Sequence, residues 1–210
     1  MNVLEHLEPK SVFRFFEEMC AIPHGSRNTK AVSDWCADFA RARGLEYHQD
    51  GDNNIIIIKE AAPGYEAAPP VILQGHLDMV CEQTADCQKD MSREGLDLAV
   101  DGDFVYAKGT TLGGDDGIAV AMALALLDAE GLPHPQYEVV VVDCSYDEEI
   151  GLLGAASIDV TPLKGRQMLN LDSEAEGIFT VSCAGGNTSA CLLPLTRAPF
   201  DGAGVTVAVG

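Results

Sequence analysis

An apolar run that ends in Gly75-His76-Leu77-Asp78 constrains the fold of this chain more than any other stretch of its sequence. The run begins at Val71 and predicts a buried strand, which would place His76 and Asp78 at the end of that strand. Acidic clusters follow at residues 113–117, 147–149 and 172, the last two of them downstream of apolar runs. Carboxylates that converge at the edge of a sheet repel one another unless cations neutralise them. The sequence therefore predicts a metal site at such an edge.

The composition indicates a globular protein that binds neither nucleic acid nor membranes. Of its 210 residues 47% are hydrophobic, and a formal net charge of -20 would repel polynucleotides and anionic lipid. The 13 Lys and Arg residues form no dense cluster that could override this field. Residues 1–18 lack the basic start and unbroken apolar run of a secretory signal, and the seven cysteines include no CxxC pair. We therefore expect a thiol-rich cytoplasmic protein.

Three segments have the apolar spacing of helices. The first is residues 11–20, with Ser11 available as an N-cap. A second helix is predicted over residues 29–43, ended by Gly44. From Asp115 onwards an Ala- and Leu-rich segment predicts a helix that is apolar on nearly every side, which indicates burial against a sheet.

Strand patterns alternate with these helices. Ile55–Ile58 predict a buried strand, and Asp101-Gly102-Asp103 predicts a hairpin turn. This alternation favours an α/β fold, a mixed sheet with helices on both faces and functional groups at its strand ends. Residues 178–182 and 205–209 also look like strands, so the chain stops at Gly210 inside a predicted strand. An unpaired terminal strand leaves backbone groups unsatisfied, and we therefore expect the chain to be a fragment with an incomplete fold.

The candidate metal ligands combine one imidazole with three carboxylates: His76, Asp115, Glu149 and Asp172. Nitrogen and oxygen donors together suit zinc at a hydrolytic site and, less selectively, manganese or cobalt. Asp78 follows His76 by two residues and can turn back to accept the second ring N–H, which would fix the ligating tautomer. Glu148 and Glu149 point in different directions in an extended chain, so one can bind metal while the other acts as a general base.

Four motifs in register make a family resemblance specific. They are Gly75–Val80, Gly109–Ile118, Asp147–Gly151 and Asn170–Glu174. Their order and spacing resemble the cocatalytic di-zinc peptidases, and among these most closely the family of bacterial aminoacyl-histidine dipeptidases, also called Xaa-His or cytosol non-specific dipeptidases. The similarity runs from the first helix to residues 183–186. It implies a zinc-exopeptidase-like catalytic domain.

The resemblance assigns a role to each candidate residue. It implies two Zn²⁺ ions in a complete site, with Mn²⁺ or Co²⁺ as possible substitutes. His76 and Asp172 would bind one ion, Glu149 the other, and Asp115 would bridge both. Glu148 would be the general base. The resemblance also implies a cis peptide bond after the bridging aspartate.

The same family places further parts beyond this sequence. Residues 1–183 would be the N-terminal part of the catalytic domain, and residues 184–210 the start of a truncated lid or dimerisation domain. A late histidine completes the second metal site in such enzymes, whereas all five histidines of this chain precede Asp172. The resemblance thus implies a full-length homodimer that associates through the missing lid, and impaired activity for the 210-residue chain.

The function expected from the residues and the resemblance is metal-dependent hydrolysis of dipeptides, either Xaa-His dipeptides or a broader set. A related amide deacylase of the same family would use the same metal core. A non-catalytic metal-binding fragment is a third interpretation. Metal stoichiometry measured together with turnover would separate these possibilities.

Overall fold

A computed structural model of the chain describes residues 3–142, 155, 157–173, 177–182, 192, 194, 196 and 205. The chain divides into two compact units, Met1–Glu174 and Ala175–Gly210. In the second unit residues 178–182 belong to no strand, so the strand predicted there is wrong. That prediction rested on residue type alone, and a strand also requires a hydrogen-bonded neighbour. The strand predicted at residues 205–209 lies almost wholly outside the described residues.

Among the described residues of the first unit are three helices of eight or more residues and seven strands. In chain order they are α1 (Lys10–Cys20), α2 (Lys30–Ala42), β1 (Glu46–Gln49), β2 (Ile55–Lys59), β3 (Val71–His76), β4 (Leu98–Asp101), β5 (Phe104–Ala107), α3 (Gly114–Asp128), β6 (Tyr137–Val142) and β7 (Gln167–Asn170). Strands β4 and β5 form a separate antiparallel hairpin. Its turn contains Gly102 at a φ of +57°, so the hairpin predicted at this place is confirmed.

Within the described part of the chain, the main sheet has five strands in the order β1-β2-β6-β3-β7 and mixes both strand directions. Strands β1 and β2 are antiparallel, as are β2 and β6. Strand β3 runs parallel to both of its neighbours, pairing His76 with Val142 on one side and Gln74 with Asn170 on the other. The carboxyl ends of three strands therefore meet at one edge. The predicted α/β class with a mixed sheet is confirmed.

Alternate residues of the sheet enter two different cores. Ile55, Ile57 and Leu73 pack with α1, α2 and α3 on one face. Ile56 and Ile58 lie on the opposite face and pack against Ile158 and Leu163. Ile158 directly follows the helical residue Ser157. Burial on both faces explains why β2 is a continuous isoleucine run rather than an alternating pattern.

The helices begin and end close to the predicted bounds, with one correction. The first helical hydrogen bond of α1 runs from Phe13 N to Pro9 O at 3.2 Å. Pro9 is therefore the N-cap and Ser11 lies inside the first turn, so the predicted capping role of Ser11 is wrong. Helix α3 is buried along most of its length, as its composition predicts. No helix among the described residues combines the length and apolar character required to cross a membrane.

Candidate metal centre

Strand β3 brings His76 to the edge of the sheet. The residue is 1% exposed, and its Nε2 lies 3.1 Å from Asp115 Oδ1. On the other side of the ring, Nδ1 lies 3.0 Å from the backbone oxygen of Asp78 and 3.3 Å from Asp78 Oδ1. The shorter contact has hydrogen-bond geometry, so we place a proton on Nδ1, and this N–H donates to the Asp78 backbone oxygen. In a neutral ring Nε2 then presents its lone pair to Asp115.

The start of α3 supplies Asp115. Gly113 precedes it at a φ of +69°, and a Cβ at that position would lie 2.8 Å from Met79 Sδ. Asp115 has non-helical backbone angles, and the peptide bond to Asp116 is cis, as the resemblance implies. The Asp115 side chain is 70% exposed, so it projects from the start of the helix and is accessible to a ligand.

Strand β7 brings Asp172 to the same edge. The residue follows the strand end by two positions, and Leu171 N donates to Gln74 O at 3.2 Å, which continues the pairing with β3. One ligand atom from each of His76, Asp115 and Asp172 lies within 4.8 Å of the others. The structure therefore brings together three of the four predicted ligands.

The remaining predicted residues lie outside the described part of the chain. Glu148 and Glu149 belong to residues 143–154, whose placement the structure does not describe. Their roles stay predictions. By contrast, sequence reasoning missed Asp116, which is 2% exposed and accepts a hydrogen bond from His76 N at 3.3 Å. The sequence of two adjacent aspartates does not indicate which of the two side chains is buried in the fold.

The electrostatics of the cluster favour cations. Burial alone would lower the pKa of His76, but the hydrogen bond and charge of Asp78, the hydrogen bond to Asp115 and the charge of Asp116 raise it to about 10. Burial raises the pKa of Asp116 to about 7; the positive charge of His76 opposes this rise, and Asp172 adds to it. Asp116 thus retains its proton more readily than an ordinary carboxyl group, and the negative charge around His76 favours a cation.

The donor set fits a divalent metal ion. Nε2 of a neutral His76 and a carboxylate oxygen of Asp115 both accept hydrogen bonds, yet they lie 3.1 Å apart. A proton or a metal cation between them would remove the repulsion. Imidazole nitrogen with carboxylate oxygens is a ligand combination that zinc, manganese and cobalt accept.

Comparisons with known proteins identify several dipeptidases and related peptidases. The chain is 37% identical over 186 residues to the cytosol non-specific dipeptidase of Escherichia coli K12, covering 89% of this chain and 38% of that protein. The solved structure of aminoacylhistidine dipeptidase from Vibrio alginolyticus superimposes with a TM-score of 0.78 at 37% identity, covering 83% of this chain and 35% of that one. These relatives confirm the family resemblance that the four motifs indicate.

A more distant solved structure shares the fold. The tripeptidase from Staphylococcus aureus subsp. aureus mu50 has a TM-score of 0.64 at 21% identity, over 79% of this chain and 44% of that one. No family model matches the sequence. The chain spans little more than a third of the length of the two relatives with 37% identity.

Proposed function

Because this chain is a homologue of the aminoacylhistidine and cytosol non-specific dipeptidases, we propose that it forms part of an enzyme that hydrolyses dipeptides with the help of divalent metal ions. The observation that supports this most directly is the convergence of His76, Asp115 and Asp172 at the carboxyl ends of parallel strands and the start of α3. The proposed substrates are Xaa-His dipeptides or a broader set, as the names of the two relatives suggest.

We propose zinc as the resident metal, with manganese or cobalt as substitutes. His76 and Asp172 would bind one ion, Asp115 would bridge to a second, and Glu149 would bind the second. A bound zinc ion supplies a Lewis acid that polarises the scissile carbonyl and lowers the pKa of a coordinated water. Glu148, beside Glu149, would accept the proton of the attacking water and pass it to the leaving amine.

The described residues show how the chain would prepare such a site. The Asp78 backbone carbonyl accepts a hydrogen bond from the Nδ1–H of His76, so that the Nε2 lone pair can bind a cation. Asp115 is exposed and Asp172 half-buried, so a substrate could approach from their side. His76 and Asp78 are buried behind them and would stay fixed during the reaction.

Three further assignments belong to the same proposal. Residues 1–183 would be the N-terminal part of the catalytic domain, and residues 184–210 the start of a lid domain. The longer protein would be a homodimer in the cytoplasm. The deacylase alternative has less support, because the relatives with 37% identity are named as dipeptidases.

The test measures metal content and turnover in one set of samples. The purified chain is loaded with zinc or manganese and assayed on several Xaa-His and dialanine-type dipeptides, beside a His76→Ala variant and a full-length relative. We expect bound metal in the unaltered chain, loss of that metal in His76→Ala, and dipeptide hydrolysis by the full-length relative.

The metal site would be refuted if His76→Ala retained the zinc content of the unaltered chain. Hydrolysis of acylated amino acids in preference to dipeptides would support the deacylase instead. If the chain binds metal but a longer protein, extended to the length of the relatives, hydrolyses neither substrate class, the non-catalytic interpretation is correct.

A further inference from the structure

Ser26 lies next to the residue that orients the candidate metal ligand. Its Oγ donates a hydrogen bond to Asp78 Oδ2 at 2.9 Å. The other carboxylate oxygen, Asp78 Oδ1, is buried and lies 3.3 Å from His76 Nδ1, whose hydrogen bond goes to the backbone oxygen of the same residue at 3.0 Å. The loop before α2 therefore fixes a carboxylate whose charge faces the imidazole, while the Asp78 backbone oxygen accepts the Nδ1 hydrogen bond.

The backbone around Ser26 is held in place independently of its side chain. His24 O accepts a hydrogen bond from Met79 N at 3.2 Å, and Ser26 N donates to Met79 O at 3.2 Å. Gly25 forms a parallel bridge to Met79 between them. The loop is thus paired with the chain just after β3, and it presents the Ser26 hydroxyl in a fixed position.

Gly25 fits this close pairing without disturbing its neighbour. A Cβ at residue 25 would lie 2.3 Å from Cys81 Sγ, so any larger residue would force the Cys81 side chain to move. Glycine therefore lets the loop approach the segment after β3 with Cys81 in its present position. The segment Pro23-His24-Gly25-Ser26 has the sequence of a turn, and in this fold it also brings the Ser26 hydroxyl to the Asp78 carboxylate.

We propose that Ser26 is a positioning residue, which acts through Asp78 to hold His76 in its metal-binding orientation. This inference rests on the proposed function, because it assumes that His76 binds the metal. The Asp78 side chain is fully buried, so the carboxylate depends on protein donors in place of water. Removing the Ser26 hydroxyl leaves Oδ2 without that donor, and the carboxylate would turn or shift away from His76.

The experiment measures the zinc affinity of the 210-residue chain by competition with a chromophoric chelator. Loss of a group that supports a metal ligand commonly weakens metal binding by about 10 to 100-fold. Ser26 is one contact further from the metal than Asp78, so we expect Ser26→Ala to weaken zinc binding by about 3 to 10-fold. Ser26→Thr keeps a hydroxyl and should restore most of the affinity.

Ser33→Ala is the matched control. Ser33 is fully buried and its Oγ donates to Asn53 O at 2.7 Å, away from the three ligands. This variant should lower the free energy of unfolding without changing zinc affinity. A general loss of stability is thereby separated from a local effect on the metal site.

A double-mutant cycle tests whether Ser26 acts through Asp78. In an Asp78→Ala background the Ser26→Ala change should have no further effect on zinc affinity. An equal loss in both backgrounds would overturn the inference, as would unchanged affinity in Ser26→Ala alone. If the unaltered chain bound no zinc, the proposed metal site would fail and this inference with it. Zinc binding that requires His76 but not Ser26 would refute the inference alone.

Discussion

The Asp116 carboxylate accepts the backbone N–H of His76 at 3.3 Å, and this contact joins the start of α3 to the end of β3. Both residues are almost completely buried. Because adjacent Asp115 projects outward from the same turn, the contact also sets how far the exposed carboxylate lies from the imidazole. The spacing of the candidate metal ligands therefore depends on close packing between this helix and this strand.

Gly75 is the residue that permits this packing, so we expect Gly75→Ala to weaken both stability and metal binding. An added Cβ would lie 2.8 Å from Asp116 Oδ2 and 3.1 Å from the Cβ of Ala119. The carboxylate would have to leave His76 N, and overpacking of this kind costs about 1 to 3 kcal/mol. Urea denaturation and zinc titration of the variant would measure the two effects.

Gly51→Ala serves as the control for that experiment. A Cβ at Gly51 meets no atom within 4 Å, and its φ is not positive. We expect this change to leave the metal affinity unaltered and to shift the free energy of unfolding by no more than about 0.5 kcal/mol. Equal behaviour of the two variants would show that the Gly75 contact is unimportant.

Glu138 in β6 should be among the most sensitive polar residues of the sheet. It is 0% exposed, and its two carboxylate oxygens accept hydrogen bonds from Gln136 Nε2 at 2.9 Å and from the backbone nitrogens of Lys164 and Gly165 at 3.0 Å. The bonds from Lys164 and Gly165 hold the segment just before β7, the strand that leads to Asp172. Each buried donor left unsatisfied costs about 1 to 3 kcal/mol, so Glu138→Ala should lose about 2 to 5 kcal/mol of unfolding free energy.

Thermal and urea unfolding of Glu138→Ala, beside Glu46→Ala, would check this expectation. Glu46 is exposed on the edge strand β1 and pairs with His48 at the surface, where a substitution has an effect of about 0.5 kcal/mol or less. A loss for Glu138→Ala as small as that of the control would contradict the role given to the buried carboxylate.

Sequence patterns predicted those parts of the site that come directly after apolar runs. His76 and Asp172 follow runs that become β3 and β7, and the strand end is readable because the apolar pattern stops there. Parallel pairing then brings the two residues together without further information. The Ala- and Leu-rich pattern likewise predicted the burial of α3, whose first residues carry Asp115.

The contacts that support these ligands could not be predicted, because they join segments far apart in the chain. Ser26 and Asp78 are 52 residues apart, and Glu138 is separated from Gly165 by 27. No local pattern reports which distant donor a buried carboxylate will meet. Strand β1 was also missed, since its sequence Glu-Tyr-His-Gln is polar and half-exposed at the edge of the sheet.

Asp128 gives the chain a pH-dependent contribution to stability. Burial alone would raise the pKa of Asp128, but Arg43 and Arg14 donate to its carboxylate at 2.7 Å each and lower the pKa below its ordinary value. A depressed pKa stabilises the folded state above the unfolded-state pKa, and this stabilisation disappears as the pH falls through the folded-state pKa. Asp128→Asn should therefore be less stable than the unaltered chain by about 1 kcal/mol near neutral pH.

The difference should shrink as the pH is lowered through the folded-state pKa of Asp128, because the carboxyl group of the unaltered chain then becomes neutral like the amide of the variant. Urea denaturation at several pH values would follow it. Asp38→Asn is the comparison, since Asp38 pairs with Arg41 at the exposed surface and should show little difference at any pH. A stability gap for Asp128→Asn that is the same at low and neutral pH would exclude the ion pairs as its origin.

Glu148 and Glu149 lead to opposite expectations although they are neighbours. The first should be needed for proton transfer and the second for binding metal, since a base must contact the attacking water while its neighbour binds the ion. Glu149→Ala should therefore lower the metal content, whereas Glu148→Ala should retain it.

In a full-length relative carrying the corresponding changes, loss of a general base should lower kcat by about 100 to 10,000-fold with little change in zinc stoichiometry. Elemental analysis and steady-state kinetics on the same preparations would measure both quantities, and Glu148→Gln would test whether the ionisable group itself is required. If Glu148→Ala lost the metal while Glu149→Ala kept it, the two roles would have to be exchanged.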